Sequence, residues 1–138
     1  MKTIKEIEND IISELAVYDD WTNKYGYLIE ISAAMPPMEE EFKTEENRIS
    51  GCQSSVWLHA SYRDGRLYFQ ADSDAVITKG IIALLLRVFS GQPPADILAA
   101  DMEFLAATGL QQHLSPNRSE GVLAMIKQIK YYAIAFNQ

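Results

Sequence analysis

Apolar residues in the first third of the chain recur at helical spacing. The first set lies three or four positions apart among charged residues, at Ile4, Ile7, Ile11 and Leu15. This pattern is typical of an amphipathic helix that buries one side. A second helix is predicted to begin at a cap on Asp19 or Asp20 and to stop near Met35, because Pro36 cannot continue it. Together they predict a helical hairpin.

The middle of the chain changes to strand periodicity. Apolar and polar residues alternate over 56–62 and again over 67–71, and Asp64-Gly65 between them is a typical hairpin turn. A short extended piece at the start of segment 47–55 precedes them and runs into a turn-rich loop. We therefore expect a small antiparallel sheet of three strands.

The second half is again helical. Residues 72–74, Asp-Ser-Asp, offer caps for an almost wholly apolar helix over 76–89, which we expect to be the buried central helix. Short helices are predicted at 92–98 and 103–107, and a long last helix opens at Ser115. The order of elements predicts an α+β fold, with the three-stranded sheet packed against several helices.

Composition narrows the class of protein. The chain has 138 residues, of which 48% are hydrophobic, so residues 1–138 are expected to form a single domain with a real core. Its 12 Lys and Arg against 19 Asp and Glu give a net charge of −7. That balance disfavours nucleic acid and anionic membranes and suits a basic protein partner.

The sequence also indicates where the protein is located and how it uses its cysteine. Acidic residues interrupt any signal-peptide core at the N-terminus, and the apolar stretch beginning at Ile81 is too short to span a bilayer. A single cysteine cannot form an internal disulfide or a cysteine-based zinc site, and two distant histidines make a metal site a poor prospect. We expect a cytoplasmic protein with no metal and no cofactor of its own.

The single cysteine, Cys52, is the principal candidate for chemistry. A lone cysteine is most often a small buried hydrophobe, but this one lies in a loop of small polar residues, where function concentrates. A Cys-His hydrolase would use His59 or His113 as its base, and a redox sensor would oxidise the thiol. A binding module that never uses the thiol is a further alternative. The residues alone leave these readings open.

Three segments carry a resemblance to a known family. Residues 49–57, Ile-Ser-Gly-Cys-Gln-Ser-Ser-Val-Trp, resemble the GCQSxVW signature of the SufE-type sulfur acceptors. Residues 71–75 with Lys79-Gly80 beyond them, and residues 112–121, are similar to further family segments, the last to QHLxPxRxxG. The resemblance covers nearly the whole chain from about Trp21 onward.

The resemblance implies a function and a set of site residues. SufE-type proteins bind a pyridoxal-phosphate cysteine desulfurase and stimulate it, so this chain would be an accessory carrier and not an independent enzyme. Cys52 would accept persulfide sulfur and pass it to an iron–sulfur scaffold or another acceptor. Gly51 and Gln53 would shape the loop, Arg118 would stabilise charge on the sulfur, and Asp74 would belong to the partner surface. The implied fold is shared with the cluster scaffold proteins.

Overall fold

The computed structural model describes residues 2–49 and 55–137. Within these ranges two helices precede a hairpin of two strands and five helices follow it. A 3-10 turn occupies Glu40–Phe42, between the second helix and the first strand. The elements are α1 (Ile4–Ala16), α2 (Trp21–Ala34), β1 (Val56–Arg63), β2 (Arg66–Ser73), α3 (Val76–Phe89), α4 (Pro94–Ala99), α5 (Glu103–Ala107), α6 (Leu110–His113) and α7 (Pro116–Phe136). The α+β class is confirmed, and α6 is a short helix that the sequence pattern did not predict.

The starts of the first two helices follow from capping side chains. Thr3 and Glu6 form a reciprocal capping box at the start of α1, which satisfies two backbone donors. Asp20 caps α2 by accepting a hydrogen bond from the Asn23 backbone N–H at 2.8 Å. The helix ends at Ala34, before Pro36, as the sequence predicts.

Among residues 2–49 and 55–137 the sheet has two antiparallel strands, so the predicted three-stranded sheet is wrong. β1 and β2 pair from Val56 opposite Ser73 to Arg63 opposite Arg66. The turn between the strands has positive φ at Asp64 (52°) and at Gly65 (78°). Asn, Asp and Gly tolerate this backbone conformation best, which explains the turn sequence.

The predicted third strand is reduced to one bridge, between Arg48 and Trp57. Two backbone hydrogen bonds support it, from the Ile49 N–H to the Val56 carbonyl at 2.8 Å and from the Leu58 N–H to the Asn47 carbonyl at 2.9 Å. The residues before Asn47 are already turned, because the Asn47 N–H bonds to the Thr44 carbonyl at 3.2 Å. The extended piece is therefore too short to pair as a strand.

Helix α3 is the centre of the packing, as its apolar sequence predicts. It contacts α2 and β2, and α1 and α7 also pack against it. Most of its side chains are buried, including Ile81, Leu84, Leu85 and Val88. The inner face of the hairpin adds Leu58 to the same core. Because α3 packs against both the helices and the hairpin, the position of the hairpin depends on this helix.

The caps predicted for α3 are wrong. Ala75 is the N-cap and makes no capping hydrogen bond with its side chain. The side chains of Asp72, Ser73 and Asp74 are used elsewhere: they accept hydrogen bonds from the backbone N–H groups of Ser73, Ala75 and Ser55, respectively. These bonds stabilise the turn between β2 and α3 and do not cap the helix.

Helices α2 and α3 approach each other very closely at Gly80. A Cβ atom built there would lie 2.5 Å from the Leu28 carbonyl oxygen and 2.9 Å from the Leu28 Cβ. Backbone atoms cannot move aside as the end of a long side chain can. Glycine at this position therefore allows the two helices to pack closely.

We expect Gly80→Ala to destabilise the protein by about 1–3 kcal/mol through overpacking, although alanine favours helix. Gly26→Ala in α2 is the matched control, because no atom lies within 4 Å of a Cβ built there. That change should stabilise by about 0.5–1 kcal/mol. Urea denaturation measures both, and equal effects of the two changes would contradict the close packing.

Helices α1, α2 and α3 are tied by one polar cluster. The two terminal guanidinium nitrogens of Arg87 in α3, Nη1 and Nη2, donate to the carboxylate of Glu14 in α1, the first of them at 2.7 Å. The Tyr27 hydroxyl of α2 donates to the same carboxylate. The hydrogen bond from Arg87 is the main cause that lowers the pKa of Glu14 to about 2 from its usual 4.5.

Because the pKa of Glu14 is lower in the folded state, its contribution is full above about pH 4.5 and is lost as the pH falls towards 2. Glu14→Gln should cost about 1 kcal/mol at pH 7, since 37% of the side chain is exposed and solvent screens the pair. The difference from wild type should shrink at pH 3 in chemical denaturation. The exposed Glu30→Gln is the control, and a pH-independent Glu14 effect would contradict this account.

Candidate functional site

The end of the hairpin that lies away from its turn carries a reciprocal pair of hydrogen bonds. The Ser55 N–H donates to Oδ1 of Asp74 at 3.1 Å, and the Asp74 N–H donates to the Ser55 carbonyl at 3.2 Å. The pair continues the ladder by one position beyond Val56 opposite Ser73. Asp74 thus fixes the chain immediately before β1.

The preceding segment is fixed at the same end of the sheet. Ile49 bonds through its N–H to the carbonyl of Val56, the first residue of β1. The chain therefore leaves the sheet at Ile49 and returns to it at Ser55, beside its point of departure. Three predicted site residues, Gly51, Cys52 and Gln53, belong to the connection between these anchors and lie outside the described residues.

A half-buried ion cluster lies next to these anchors. Asp72 pairs with Nζ of Lys43 at 2.9 Å and with Nζ of Lys79 at 3.2 Å. Burial acts to raise the pKa of Asp72, but the hydrogen bonds from Lys43, the Ser73 N–H and Lys79 outweigh it and lower the pKa. Asp72 thereby joins the acidic segment before the sheet, the end of β2 and the first turns of α3.

The outer face of β1 is partly covered by the acidic segment at 39–46. Phe42 stacks on His59 with ring centroids 3.7 Å apart, and the Asn47 side chain donates to the Phe42 carbonyl at 2.8 Å. The ammonium of Lys43 lies 5.9 Å from the Trp57 ring centroid. His59 therefore has a packing role on this face, on the side of β1 opposite the core.

The second histidine packs at the corner where α2 meets α6. His113 stacks on Trp21 with ring centroids 3.9 Å apart, and its carbonyl accepts a hydrogen bond from the Tyr25 hydroxyl at 2.8 Å. Gly109 has a φ of 80°, and a Cβ there would lie 2.9 Å from the Trp21 ring. This corner holds the segment that leads into α7, where Arg118 lies.

Arg118 is exposed, and its backbone rather than its side chain takes part in capping. The Ser115 hydroxyl accepts a hydrogen bond from the Arg118 N–H at 3.4 Å and so caps α7. Within residues 2–49 and 55–137, the guanidinium of Arg118 forms no ion pair, hydrogen bond or ring contact. The side chain is therefore available to a charge outside these ranges.

The direction of α7 relates Arg118 to the anchored end of the hairpin. At the C-terminal end of α7, Phe136 stacks on Tyr62 near the hairpin turn, with ring centroids 5.1 Å apart. One helical turn earlier, the ring centroid of Tyr132 lies 6.5 Å from that of Phe69, and Phe69 is farther from the hairpin turn than Tyr62 is. Followed backwards, α7 thus runs towards the end of the hairpin that holds Ser55. We therefore expect the Arg118 end of α7 to lie at the same end of the molecule as the anchors.

Two general features complete the description. Among the residues that the structure describes, no group of three histidine, cysteine or acidic side chains could hold a metal ion. In the same part of the chain, no helix is long and apolar enough to cross a membrane.

The family described as "SufE: Fe-S metabolism associated domain" matches residues 9–133. An uncharacterized SufE-like protein of Rhizobium etli is 39% identical over 127 residues, covering 88% of this chain and 86% of the relative. The chain belongs to the SufE family. SufE-like protein 1 of Arabidopsis thaliana, chloroplastic/mitochondrial, is 41% identical over 112 residues, covering 80% of this chain and 30% of the relative.

Solved structures agree with this assignment at the level of fold. The solution structure of a hypothetical protein from Thermus thermophilus matches with a TM-score of 0.78 and covers 94% of this chain and 95% of its own. Its identity is 20%, so this likeness concerns the fold alone. The family resemblance in the sequence is confirmed.

In this SufE protein, the sequence pattern missed the polar contacts that hold the site. The link from Asp74 to Ser55 and the pairs of Asp72 with two lysines were not predicted. The only available signal was three polar residues between an apolar strand and an apolar helix, which is equally typical of a helix cap. The distant partners, such as Lys43, could not be read from spacing.

We predict that Asp74→Ala weakens the anchor and raises the hydrogen-exchange rate of the Ser55 amide, because its side-chain acceptor is lost. Asp74→Asn keeps an oxygen in the same place and should preserve most of the protection. Exchange measured by NMR on the three proteins checks this. Equal rates for Ala and wild type would show that the bond does not protect the amide.

Proposed function

We propose that this SufE protein accepts persulfide sulfur on Cys52 from a cysteine desulfurase, stimulates that enzyme, and relays the sulfur for iron–sulfur cluster assembly. The observation that carries the proposal is the family match over residues 9–133 in a chain whose only cysteine lies between two anchored positions. The proposed role is that of an accessory carrier, and the pyridoxal phosphate would belong to the partner enzyme.

The proposed transfer is a thiol exchange that balances without an oxidant. The thiolate of Cys52 attacks the outer sulfur of the donor's cysteine persulfide. A new S–S bond forms on Cys52 as the donor S–S bond breaks, and the donor cysteine leaves as a thiolate. The proton stays on the outer sulfur, and the number of S–S bonds is unchanged. No second cysteine of this chain is needed.

The anchors support this role because they limit where the thiol can travel. Cys52 is three residues from Ile49, so their Cα atoms can be separated by at most about 11 Å. Ile49 is bound to Val56, and Ser55 is bound to Asp74. A short tether on a rigid hairpin would present the thiol to a partner at one end of the molecule.

Arg118 supports the role through charge. A thiolate or persulfide anion is stabilised by a nearby cation, and the Arg118 guanidinium is exposed in the first turn of α7. Lys43 and Lys79 are already paired with Asp72. We therefore propose Arg118 as the cation that faces the sulfur, while Gly51 and Gln53 shape the loop.

Partner and location follow from charge and cysteine use. A net charge of −7 favours a basic docking surface on the partner, to which the exposed Asp74 would contribute through the oxygen not bonded to Ser55. A single cysteine in the sequence suits a reducing compartment, and we propose the cytoplasm.

The proposal is tested by the turnover of a cysteine desulfurase in the presence of the protein. Wild type should increase alanine formation from cysteine, and Cys52→Ser should abolish the increase while still competing with wild type for the enzyme. Stimulation that survives in Cys52→Ser would contradict sulfur acceptance and favour a binding module that never uses the thiol.

Arg118→Ala should slow sulfur transfer by about tenfold, the effect of losing roughly 1.4 kcal/mol of charge stabilisation. The cap of α7 should survive, because Ser115 accepts from the backbone N–H of Arg118. Rapid-quench measurement of transfer rates checks this, with the thermal unfolding midpoint as the folding control. Arg118→Lys should recover part of the rate, and an unchanged rate in Arg118→Ala would remove the residue from the site.

A further inference from the structure

A cavity opens to solvent between the start of α1 and the segment that joins α4 to α5. Its volume is about 270 Å³. Three carboxylate residues line it: Glu8 of α1, Asp96 of α4, and Asp101, which follows α4. The cavity is smaller than the roughly 300–1,000 Å³ of typical ligand sites, so it fits one side chain better than a cofactor.

Glu8 is the unusual member of this group, because it is only 3% exposed. Its Oε2 is fully buried and has no hydrogen-bond partner among residues 2–49 and 55–137. Buried carboxylate oxygens are normally paired, since an unpaired one loses its hydration without compensation. Burial raises the pKa of Glu8, Lys5 lowers it, and Asp101 and Glu103 raise it. Oε2 of Glu8 is therefore a buried acceptor to which no donor is bonded in the described part of the chain.

The two lysines near the cavity, Lys5 and Lys130, contact groups other than Glu8. Lys5 lines the cavity, but its Nζ lies 3.9 Å from Oε2 of Glu103 and its side chain is 61% exposed. The ammonium of Lys130 is held by the carbonyls of Ile97, Leu98 and Ala100 at the end of α4. This end of α4 therefore already binds one positive group, whereas Glu8 has no hydrogen bond or ion pair with a cation among the described residues.

We propose that this cavity is a binding pocket for an arginine side chain of a partner protein, with Glu8 as its buried anchor. A guanidinium offers five donors in a planar fork, which can bond two carboxylates at once. Glu8, Asp96 and Asp101 provide several acceptors around a space of side-chain size. The apolar stem of the arginine would contact Ile4 and Ala99 on the wall.

The pocket lies near the hairpin turn, at the other end of the hairpin from the anchors Ile49 and Ser55. The backbone carbonyl of Lys2, just before α1, accepts a hydrogen bond from Gln92, and Gln92 bridges to Leu67 near the hairpin turn. The anchors of the cysteine loop are at the opposite end of the same strands. This proposal is therefore independent of the proposed function, and either can fail without the other.

The test is an NMR titration of the full protein with arginine capped at both its amino and carboxyl groups. Amide shifts should concentrate in residues 3–8 and 96–101. Glu8→Gln should weaken binding at least about tenfold, as expected for a charge-assisted pair worth about 1.4 kcal/mol or more. Glu30→Gln, an equal charge change on an exposed site, should bind as wild type does. The unfolding midpoint of Glu8→Gln shows whether that variant is folded.

Capped citrulline has nearly the same shape without the charge and should not bind. Equal binding of citrulline, an unchanged affinity in Glu8→Gln, or shifts spread over the acidic surface would overturn the proposal. Tighter binding of capped lysine would overturn the choice of arginine. A preference of more than about tenfold for free over capped arginine would point to a free amino acid and overturn the assignment to a protein side chain.

Discussion

The burial of α3 between α2 and the β-hairpin is the constraint on which the rest of the structure depends. Gly80 lets α3 approach the backbone of Leu28, and α3 also packs against β2. A larger side chain in this interface would push α3 away from α2 and shift the hairpin that packs against α3. Since the candidate sulfur site is anchored to the end of the hairpin, its position is set by apolar packing more than by its own polar contacts.

Polar contacts then fix the details at that end. Asp72 lies near the end of β2 and Asp74 lies in the turn between β2 and α3, and each is bonded to a more distant part of the chain. The bond from Ser55 to Asp74 and the bond from Ile49 to Val56 bring the two ends of the cysteine loop together. The proposed carrier role suits this combination, in which the hairpin holds a short segment that would have to meet two different partners.

Most of the fold could be predicted from periodicity, and the exceptions have physical reasons. Helices α1, α2, α3 and α7 have long apolar patterns and clear ends, so their spacing was sufficient. The third strand is wrong because, in the described part of that segment, pairing with β1 is confined to one bridge at Arg48, and the pattern alone does not limit the length of pairing. The predicted caps of α3 are wrong because the side chains of Asp72 and Asp74 bond to Lys43 and Ser55, which are distant in sequence. The burial of Glu8 could not be predicted from the spacing within α1, since it lies beside Asp96 and Asp101, which are distant in sequence.

The most direct test of the central claim is intact-protein mass spectrometry after incubation with a cysteine desulfurase and free cysteine. The account predicts that wild type gains the mass of one sulfur atom, that a thiol reductant removes it, and that Cys52→Ser gains nothing. If wild type gained no sulfur while the desulfurase was turning over, or if Cys52→Ser gained it equally, the assignment of Cys52 as the sulfur carrier would be contradicted.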